Sequence, residues 1–353
     1  MSRFLDIGVA SLVPYVPGEQ PKDAGYIKLN TNESPYPPSP SVIAAVKAES
    51  EKLRLYSDPE TSDLTAAIAE FYGVGQKNVI AGNGSDEILA FIFKAFFGEK
   101  GAACPDVSYG FYPVFCSLFG IKYNPVPLDE NFMIDASAYA DVTDNVVIAN
   151  PNAQTGIYLP LDKVEEIARS RPDRLVVVDE AYVDFGGETA VPLTKKYNNL
   201  IVVQTFSKSR QLAGGRVGFA VADESLINDI KTVKYSFNPY NVGRLGIAAG
   251  CAAMKDREYF DVCRSKIIAT RGRVAYELAK LGFTVLPSKA NFLLIRHGGV
   301  GGEEMYRALK QRGVLVRHLK DERIKDFVRV TIGTDDEMDV FLKKTAEILG
   351  ELK

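Results

Sequence analysis

The chain is poor in two residue types that often mark a site. It has no tryptophan and only two histidines, His297 and His318, among its 353 residues. Hydrolases of the Ser-His-Asp and Cys-His types use a histidine as general base, so this scarcity argues against both. His318 follows Arg317, but a solvated or packed histidine is commoner than a functional one, and we assign His318 no role.

Cysteine is also scarce, and the four residues present are Cys104, Cys116, Cys251 and Cys263. None forms a Cys-x-x-Cys pair, and with so few histidines a structural zinc site is not expected. The spacing instead indicates free, buried thiols in a reducing compartment.

Long apolar runs are missing as well. No stretch of about 18 apolar residues occurs, so we expect no transmembrane helix. The first residues lack the apolar core of a signal peptide, and we expect a cytoplasmic protein. A net charge of -3 offers no basic field for nucleic acid. The expected partners are therefore small molecules, not nucleic acid or a membrane.

What the chain does have is the pattern of an α/β protein. Between about 60 and 240, apolar strands alternate with amphipathic helices, which predicts a mainly parallel sheet with helices on both faces. Strands are predicted near 78–81, 101–104, 145–149, 175–179, 200–205 and 217–221. Helices are predicted over about 41–56, Leu64 to Tyr72 and Leu161 to Arg169.

The ends of the chain differ from this middle part. Residues 1–30 carry Pro14, Pro17, Gly18 and Pro21, which predicts an extended arm that packs on the small domain or on a partner. A helical stretch from about 243 to 281 is expected to lead into a smaller α+β C-terminal domain with strands at 291–296 and 327–332. The predicted divisions are an arm of 1–30, a large domain of 31–245 and a small domain of 246–353.

Two predicted strands end in residues that are suited to catalysis or ligand binding. One apolar run ends in Thr205-Phe206-Ser207-Lys208, with Arg216 eight residues further on, and another ends in Asp179-Glu180. In open α/β sheets, ligands bind outside the carboxyl ends of the strands. A lysine, an aspartate and an arginine are what pyridoxal phosphate needs for its imine, its pyridinium nitrogen and its phosphate.

A phosphate site should also use backbone amides. The segment Gly82-Asn83-Gly84-Ser85-Asp86 joins an apolar strand to an amphipathic helix. The N-terminus of that helix offers unpaired N–H groups and the positive end of the helix dipole, which favour phosphate. An ordinary capped helix after a tight turn explains the same residues. This segment therefore supports a phosphate site only together with the segments that carry Lys208 and Asp179.

Eight blocks together resemble a known family, the fold-type-I pyridoxal-phosphate aminotransferases, and within it the histidinol-phosphate aminotransferases. The resemblance covers nearly the whole chain, and the order and spacing of the blocks carry it. The blocks begin at Pro14, Leu29, Tyr56, Gly82, Asn150, Asp179, Thr205 and Arg329.

The resemblance implies roles for the residues around the cofactor ring. Lys208 is expected to form the imine with the cofactor and then to act as general base and acid. Asp179 is expected to pair with the pyridine nitrogen, Tyr182 to hydrogen-bond the ring 3-oxygen, and Tyr109 to stack on the ring.

It also implies a phosphate site that two subunits share. Ser85 and Asp86 are expected to bind the phosphate through backbone N–H groups, together with Ser207 and Arg216. Tyr56 is expected to reach the phosphate from the neighbouring subunit, which implies a homodimer.

One block departs from the family pattern, which usually reads Asn-Pro-Asn-Asn-Pro-Thr-Gly. Here Ala153 replaces the asparagine that bonds the 3-oxygen, and Gln154 replaces the proline that shapes the turn. Two explanations stay open: Asn152 takes over the bond and is a cofactor-binding residue, or Tyr182 carries the oxygen alone.

The resemblance implies that histidinol phosphate donates its amino group to 2-oxoglutarate. Tyr15, Arg317 and Arg329 match the positions that bind the substrate phosphate, and Arg329 also matches the arginine that binds the carboxylate of the keto acid. Asn32 and Asn291 are expected to contact the substrate as well.

Three alternatives to this function remain. An aromatic or broad-range aminotransferase would keep the cofactor residues and differ around Tyr15 and Arg317. A threonine-phosphate decarboxylase shares the fold and a phosphorylated substrate. A non-enzymatic protein that only senses or scaffolds is disfavoured by the intact Lys208 and Asp179.

Overall fold

The computed structural model describes residues 2–21 and 25–351. The α-helices in these ranges are α1 (Ile7–Ala10), α2 (Pro40–Ser50), α3 (Ser62–Tyr72), α4 (Ser85–Phe96), α5 (Tyr112–Phe119), α6 (Leu161–Ser170), α7 (Glu224–Phe237), α8 (Arg244–Lys255), α9 (Arg257–Lys280), α10 (Gly302–Gln311) and α11 (Asp335–Glu351). Within the described ranges, none of these helices is long and apolar enough to span a bilayer.

The strands in the described ranges divide among three sheets. They are β1 (Ile27–Lys28), β2 (Val79–Gly82), β3 (Ala102–Pro105), β4 (Tyr123–Val126), β5 (Asn145–Ala149), β6 (Val176–Asp179), β7 (Leu200–Thr205), β8 (Gly218–Val221), β9 (Phe283–Val285), β10 (Phe292–His297), β11 (Val314–Leu315), β12 (Arg317–His318) and β13 (Val328–Thr331).

The large sheet confirms the predicted α/β class. Its seven strands lie in the order β2-β8-β7-β6-β5-β3-β4. The pairs from β7 through β6, β5 and β3 to β4 are parallel, whereas β8 runs antiparallel to both β2 and β7. The prediction missed β4, a partly exposed edge strand that contains Pro125, and proline is tolerated in sheets mainly at edges.

Both faces of the large sheet are covered. Along β6, Val176 and Val178 pack into one hydrophobic cluster and Val177 packs into the other, as the two-residue period of a strand requires. Parallel strands buried on both faces read as continuous apolar runs. This is why the central strands were predictable from the sequence.

The predicted helices exist with changed boundaries. The predicted helix 41–56 is α2, which starts earlier because Pro40 takes its first position and Ser39 caps it, and which ends at Ser50. The stretch 243–281 is two helices, α8 and α9, separated at Asp256. The Asp256 carboxylate caps α9 by accepting from the Tyr259 N–H at 3.3 Å, so one helix ends where the next begins.

The smaller sheet has the antiparallel order β12-β13-β10-β9, and β1 pairs in parallel with β11. Within 2–21 and 25–30, the part of the predicted arm that the structure describes includes the short helix α1 and the strand β1, neither of which was predicted. The buried Arg271 of α9 donates to the carbonyls of Phe185 and Ala290 at 2.9 and 2.6 Å. This bridge holds the segment before β10 against the segment after β6, beside the site. The domain divisions stay predictions.

Candidate active site

The predicted residues converge on one cavity of about 380 Å³. It lies at the carboxyl ends of β5, β6 and β7, where Ala149, Asp179 and Thr205 form part of its wall. Ligands of open α/β sheets bind in this position. Twelve predicted site residues line it: Tyr15, Asn32, Ser85, Asp86, Tyr109, Asp179, Tyr182, Ser207, Lys208, Arg216, Arg317 and Arg329.

Lys208 enters the cavity from the loop that follows β7. Its Nζ donates to the carbonyl oxygen of Thr31 at 3.1 Å. Burial lowers the pKa of the Lys208 amine to about 8, and the positive charge of Arg329 adds to this effect. An amine must lose its proton to act as a nucleophile or base, so the site holds Lys208 close to the reactive form.

This lowered pKa predicts how Lys208 reacts in cofactor-free protein. Methylation of its amine should rise with pH and reach half its maximum near pH 8, instead of about 10.4 for an ordinary lysine. Arg329→Gln removes a nearby positive charge and should move the midpoint upward. Mass spectrometry of the Lys208 peptide measures both midpoints, with the exposed Lys196 as internal control. Equal midpoints for Lys208 and Lys196 would contradict the prediction.

Asp179 is a buried carboxylate at the end of β6. Its Oδ2 accepts from the hydroxyl of Tyr112 at 2.9 Å, and its Oδ1 accepts from the N–H of Ala181 at 3.2 Å. Burial raises the pKa of Asp179 to about 6. In the described part of the chain no lysine or arginine forms an ion pair with it. A buried carboxylate needs a cationic or strong hydrogen-bond partner, and a protonated ring nitrogen fits that need.

Sequence reasoning missed Tyr112. It lies in the block Ser108–Tyr112, from which only Tyr109 was selected, and it is fully buried. Its hydroxyl contact with Asp179 joins residues 67 positions apart. A local pattern cannot reveal such a contact, so the sequence carried no signal for it.

Tyr182 receives a hydrogen bond that leaves its own proton free. Asn32 donates from Nδ2 to the Tyr182 hydroxyl oxygen at 3.0 Å. The Thr331 hydroxyl accepts from the Asn32 N–H and donates to Asn32 Oδ1, which orients the amide. Since a tyrosine hydroxyl has one proton to give, Tyr182 can direct it into the cavity. This arrangement fits the ring oxygen of the expected cofactor.

A second part of the cavity suits a phosphate. Gly84 has φ +82, and a Cβ there would lie 2.4 Å from Nη2 of Arg216. A Cβ on Gly218 would lie 2.2 Å from the backbone nitrogen of Ser85. The two glycines therefore let Arg216 and strand β8 approach the N-terminus of α4, where free N–H groups favour an anion. Arg216 contacts Asp86 Oδ2 at 3.3 Å.

The strands β12 and β13 of the smaller sheet bring two more guanidinium groups to the cavity. Arg329 is deeply enclosed: its Nη1 donates to the Ala153 carbonyl and to Gln154 Oε1, both at 2.9 Å, and its Nε has no partner. Arg317 is more open and donates to the carbonyls of Val16 and Pro17 at 3.0 and 3.1 Å. No carboxylate pairs with either arginine in the described ranges, so both are available to a bound anion.

Tyr109 and Tyr15 stand beside these groups. The Tyr109 hydroxyl donates to Asp86 Oδ1 at 2.8 Å. The Tyr15 ring packs on Phe111 with centroids 4.7 Å apart and lies 6.3 Å from the Tyr109 ring. The proposed cofactor-binding and substrate-binding aromatic residues thus form one wall.

The structure does not bring three predicted residues into the cavity wall. Asn152 uses its Nδ2 on the Val107 carbonyl at 2.8 Å, and its Oδ1 accepts the N–H groups of Gln154 and Thr155. These bonds shape the turn and use the oxygen and one of the two amide hydrogens of Asn152. Asn152 does not line the cavity, whereas Tyr182 does, and the role of Asn152 at the 3-oxygen stays a prediction.

The other two predicted residues outside the cavity wall are Asn291 and Tyr56. Asn291 is buried and donates to the Asn32 carbonyl at 3.0 Å, so it reaches the cavity only through Asn32 and does not itself line it. Tyr56 is 79% exposed and stacks on Tyr240 with centroids 4.7 Å apart. Its ring faces outward, away from this chain's own cavity.

Comparisons with known proteins agree with this geometry. A family model described as "Aminotransferase class I and II" matches residues 24–344. A histidinol-phosphate aminotransferase of Brachyspira hyodysenteriae is 51% identical, with 99% of each chain covered. The enzyme of that name from Clostridium acetobutylicum is 49% identical, over 99% of this chain and 100% of its own.

A solved structure shares the fold over its full length. The histidinol-phosphate aminotransferase of Sinorhizobium meliloti, in complex with pyridoxal-5'-phosphate, superposes with a TM-score of 0.89 at 25% identity, covering 100% of this chain and 99% of that one. With the family model and the relatives above, this shows that the chain belongs to the class I and II aminotransferase family, among members named histidinol-phosphate aminotransferase.

Proposed function

We propose that this chain is a pyridoxal-phosphate-dependent aminotransferase that converts histidinol phosphate and 2-oxoglutarate into imidazole acetol phosphate and glutamate, as a step of histidine biosynthesis. One observation carries the proposal. A single cavity holds the amine of Lys208 and the carboxylate of Asp179, which has no cationic partner in the described ranges, with Arg216 beside the N-terminus of α4 and with Arg317 and Arg329 on two strands of the smaller sheet. Two separate anion sites suit a phosphorylated cofactor together with an anionic substrate.

The cofactor, when bound, supplies an electron sink for the carbon from which a proton is removed. The protein residues prepare the site for it. Asp179 stabilises a proton on the ring nitrogen, Tyr182 donates to the ring oxygen, and Ser85, Ser207 and Arg216 hold the phosphate. Lys208 Nζ, with a pKa of about 8, takes up and returns the transferred proton. General acid–base catalysis works best when the pKa lies near the working pH.

The substrate end has to accept two different anions in turn. Histidinol phosphate brings a phosphate and no carboxylate, whereas 2-oxoglutarate brings carboxylates. A guanidinium group can bind either anion with two parallel hydrogen bonds. Arg329 is enclosed and lies deep in the cavity, so we assign it to both substrates. Arg317 is more exposed and donates to the carbonyls of Val16 and Pro17, and we assign it to the phosphate.

This division predicts different effects in the two half-reactions. Arg317→Ala should slow the histidinol phosphate half-reaction far more than the 2-oxoglutarate half-reaction, and Arg329→Ala should slow both. Loss of a buried charge-assisted contact costs about 2–5 kcal/mol, or roughly 30- to several-thousand-fold in kcat/KM. Single-turnover absorption spectra measure each half-reaction separately.

Arg296 provides the matched control. It lies on β10 outside the cavity, with its guanidinium 5.2 Å above the Phe327 ring, and Arg296→Ala should leave both half-reactions unchanged. If Arg317→Ala slows both half-reactions equally, Arg317 acts by holding the arm at Val16 and Pro17 and does not select the phosphate.

A substrate comparison separates the alternatives. Histidinol phosphate, phenylalanine and threonine phosphate are assayed with 2-oxoglutarate as acceptor. The proposal requires the highest kcat/KM for histidinol phosphate. Preference for phenylalanine would make the chain an aromatic aminotransferase. Release of carbon dioxide from threonine phosphate without an acceptor would make it a decarboxylase.

We also assign the working form to a cytoplasmic homodimer in which Tyr56 reaches the phosphate site of the partner. Tyr56 lies in an apolar surface with the adjacent Leu55 and with Tyr240, on which it stacks, and these two residues are 47% and 44% exposed. Large exposed apolar patches mark interaction surfaces. Sedimentation of the purified protein measures its mass in solution. The free, mostly buried cysteines fit a reducing compartment.

A further inference from the structure

Gln154 occupies the position where the sequence departs from its family, and the structure gives its side chain a partner. Its Oε1 accepts from Arg329 Nη1 at 2.9 Å, and its backbone N–H donates to Asn152 Oδ1 at 2.9 Å. A proline has neither a backbone N–H nor a side-chain acceptor. The proline usual at this position would make neither contact.

The hydrogen-bonding capacity of the Gln154 amide is only partly used. A glutamine amide carries an accepting oxygen and two donor hydrogens on its nitrogen. With Oε1 directed at Arg329, the nitrogen Nε2 makes no hydrogen bond to any described residue. Gln154 lines the same cavity as Arg329 and Arg317. Its donor end is therefore available to a bound molecule in that cavity.

Charge explains why an amide suits this position. The two groups that accept from Arg329 are both neutral, the Ala153 carbonyl and the Gln154 amide oxygen. Its buried Nε has no partner in the described ranges. Neutral acceptors orient a guanidinium and leave its positive charge uncompensated. A carboxylate in the same place would form an ion pair with Arg329 and compete with any anion that enters.

We infer that Gln154 is a specificity-determining residue, whose amide oxygen orients Arg329 and whose amide nitrogen donates to the anionic group of the substrate. The inference rests on the proposed function, because it takes Arg329 as the residue that binds the anion of both substrates. The Gln154 amide adds a neutral hydrogen-bond donor to the two cationic donors, Arg317 and Arg329. Such a donor serves carboxylate and phosphate alike, which an alternating pair of substrates requires.

Two substitutions test the role of Gln154 in the holoenzyme. The probe is maleate, a dicarboxylate that cannot be transaminated, and its Kd is measured by titration. Gln154→Met keeps the length but removes both polar atoms, and should weaken maleate binding about tenfold, the effect of one hydrogen bond to a charged group. Gln154→Glu keeps an acceptor for Arg329 but adds a negative charge, and should weaken binding by roughly 100-fold or more.

Kinetics provide the second measurement. In both variants the KM for 2-oxoglutarate should rise in parallel with the Kd for maleate, while kcat stays within about threefold, because uniform loss of binding leaves the chemical step unchanged. Gln311→Glu, an exposed glutamine at the end of α10, adds the same charge outside the cavity and should behave as wild type.

The outcomes separate this inference from a role in the turn alone. Methionine retains the backbone N–H that shapes the turn and adds no charge, so a turn role would leave Gln154→Met with wild-type affinity for maleate, and that result would overturn the inference. A fall in kcat with loss of cofactor and no change in maleate affinity would overturn it too. Wild-type protein that binds maleate but does not react with histidinol phosphate would contradict the proposed function and leave the role of Gln154 standing.

Discussion

Lys208→Ala should abolish transamination and leave the purified protein without covalently attached cofactor. Two functions are lost together, because the same Nζ forms the imine with pyridoxal phosphate and moves the proton. Proton transfer by a positioned side chain alone contributes about 10²–10⁴-fold, so the residual rate should lie at least that far below wild type. Borohydride reduction followed by peptide mass spectrometry measures the attachment, and wild-type protein should carry the label on Lys208.

Lys234 supplies a control within the same chain. It is also a buried lysine with a lowered pKa, and its Nζ donates to the Pro59 carbonyl at 2.6 Å. It does not line the cavity, so its peptide should stay unlabelled. Label on Lys234 or on any other lysine would remove Lys208 from the proposed mechanism. A folded Lys208→Ala protein with wild-type thermal stability would assign the loss of rate to chemistry.

Asp179→Asn should retain some cofactor and lose orders of magnitude in kcat. The amide can still accept from the Tyr112 hydroxyl, so the shape of the site is preserved, but it cannot stabilise a proton on the ring nitrogen. The electron sink for the proton removal is then weaker. Stopped-flow absorption of each half-reaction measures the loss. Wild-type turnover by Asp179→Asn would exclude Asp179 from this role.

Glu180→Gln is the matched control for this prediction. Glu180 follows directly in the chain and is equally buried, but its oxygens accept from Thr189, Gln204 and the Ala190 N–H. Glu180 does not line the cavity. The same carboxylate-to-amide change at Glu180 should therefore leave kcat within about threefold of wild type, as for a change outside the transition-state contacts.

Asp179 also links the site to stability. Its pKa is about 6 in the folded protein against 3.8 in the unfolded chain. The folded state therefore binds more protons between these values, and its stability falls as pH rises through that window. Cofactor-free Asp179→Asn has no carboxyl group at this position and does not lose this stability as pH rises. It should unfold at a higher temperature than wild type at pH 7 and lose the advantage below about pH 4.

The sequence was sufficient where a local pattern decides the structure. The apolar runs 145–149 and 200–205 are strands with those bounds. A strand that is buried on both faces gives a continuous apolar run, and this run is what predicted each strand. Lys208 and Asp179 could be placed at strand ends for the same reason. The glycine turn before α4 was also predictable, since only glycine fits there at positive φ.

What could not be predicted depends on contacts between distant segments. The hydroxyl of Tyr112 meets Asp179, and Gln154 meets Arg329 across 175 positions. Asn152 lies outside the cavity wall because its side chain bonds the Val107 carbonyl across 45 positions, a contact that its residue type does not reveal. Asp256 ends one helix and starts another through a cap that a periodicity count does not register.

The bonds around Asn32 and Lys208 have a consequence for how the chain acquires activity. Asn32 joins Tyr182 across 150 positions and Thr331 across 299, and Lys208 meets Thr31 across 177. Contacts of high sequence separation form late, because the loops that they close cost entropy. A nascent or partly refolded chain can complete the parallel strands of the large sheet while the catalytic pocket is still open. The pocket is therefore complete only when segments from Thr31 to Thr331 are all in place. A chain that ends before Thr331 lacks the hydroxyl that orients Asn32 toward Tyr182.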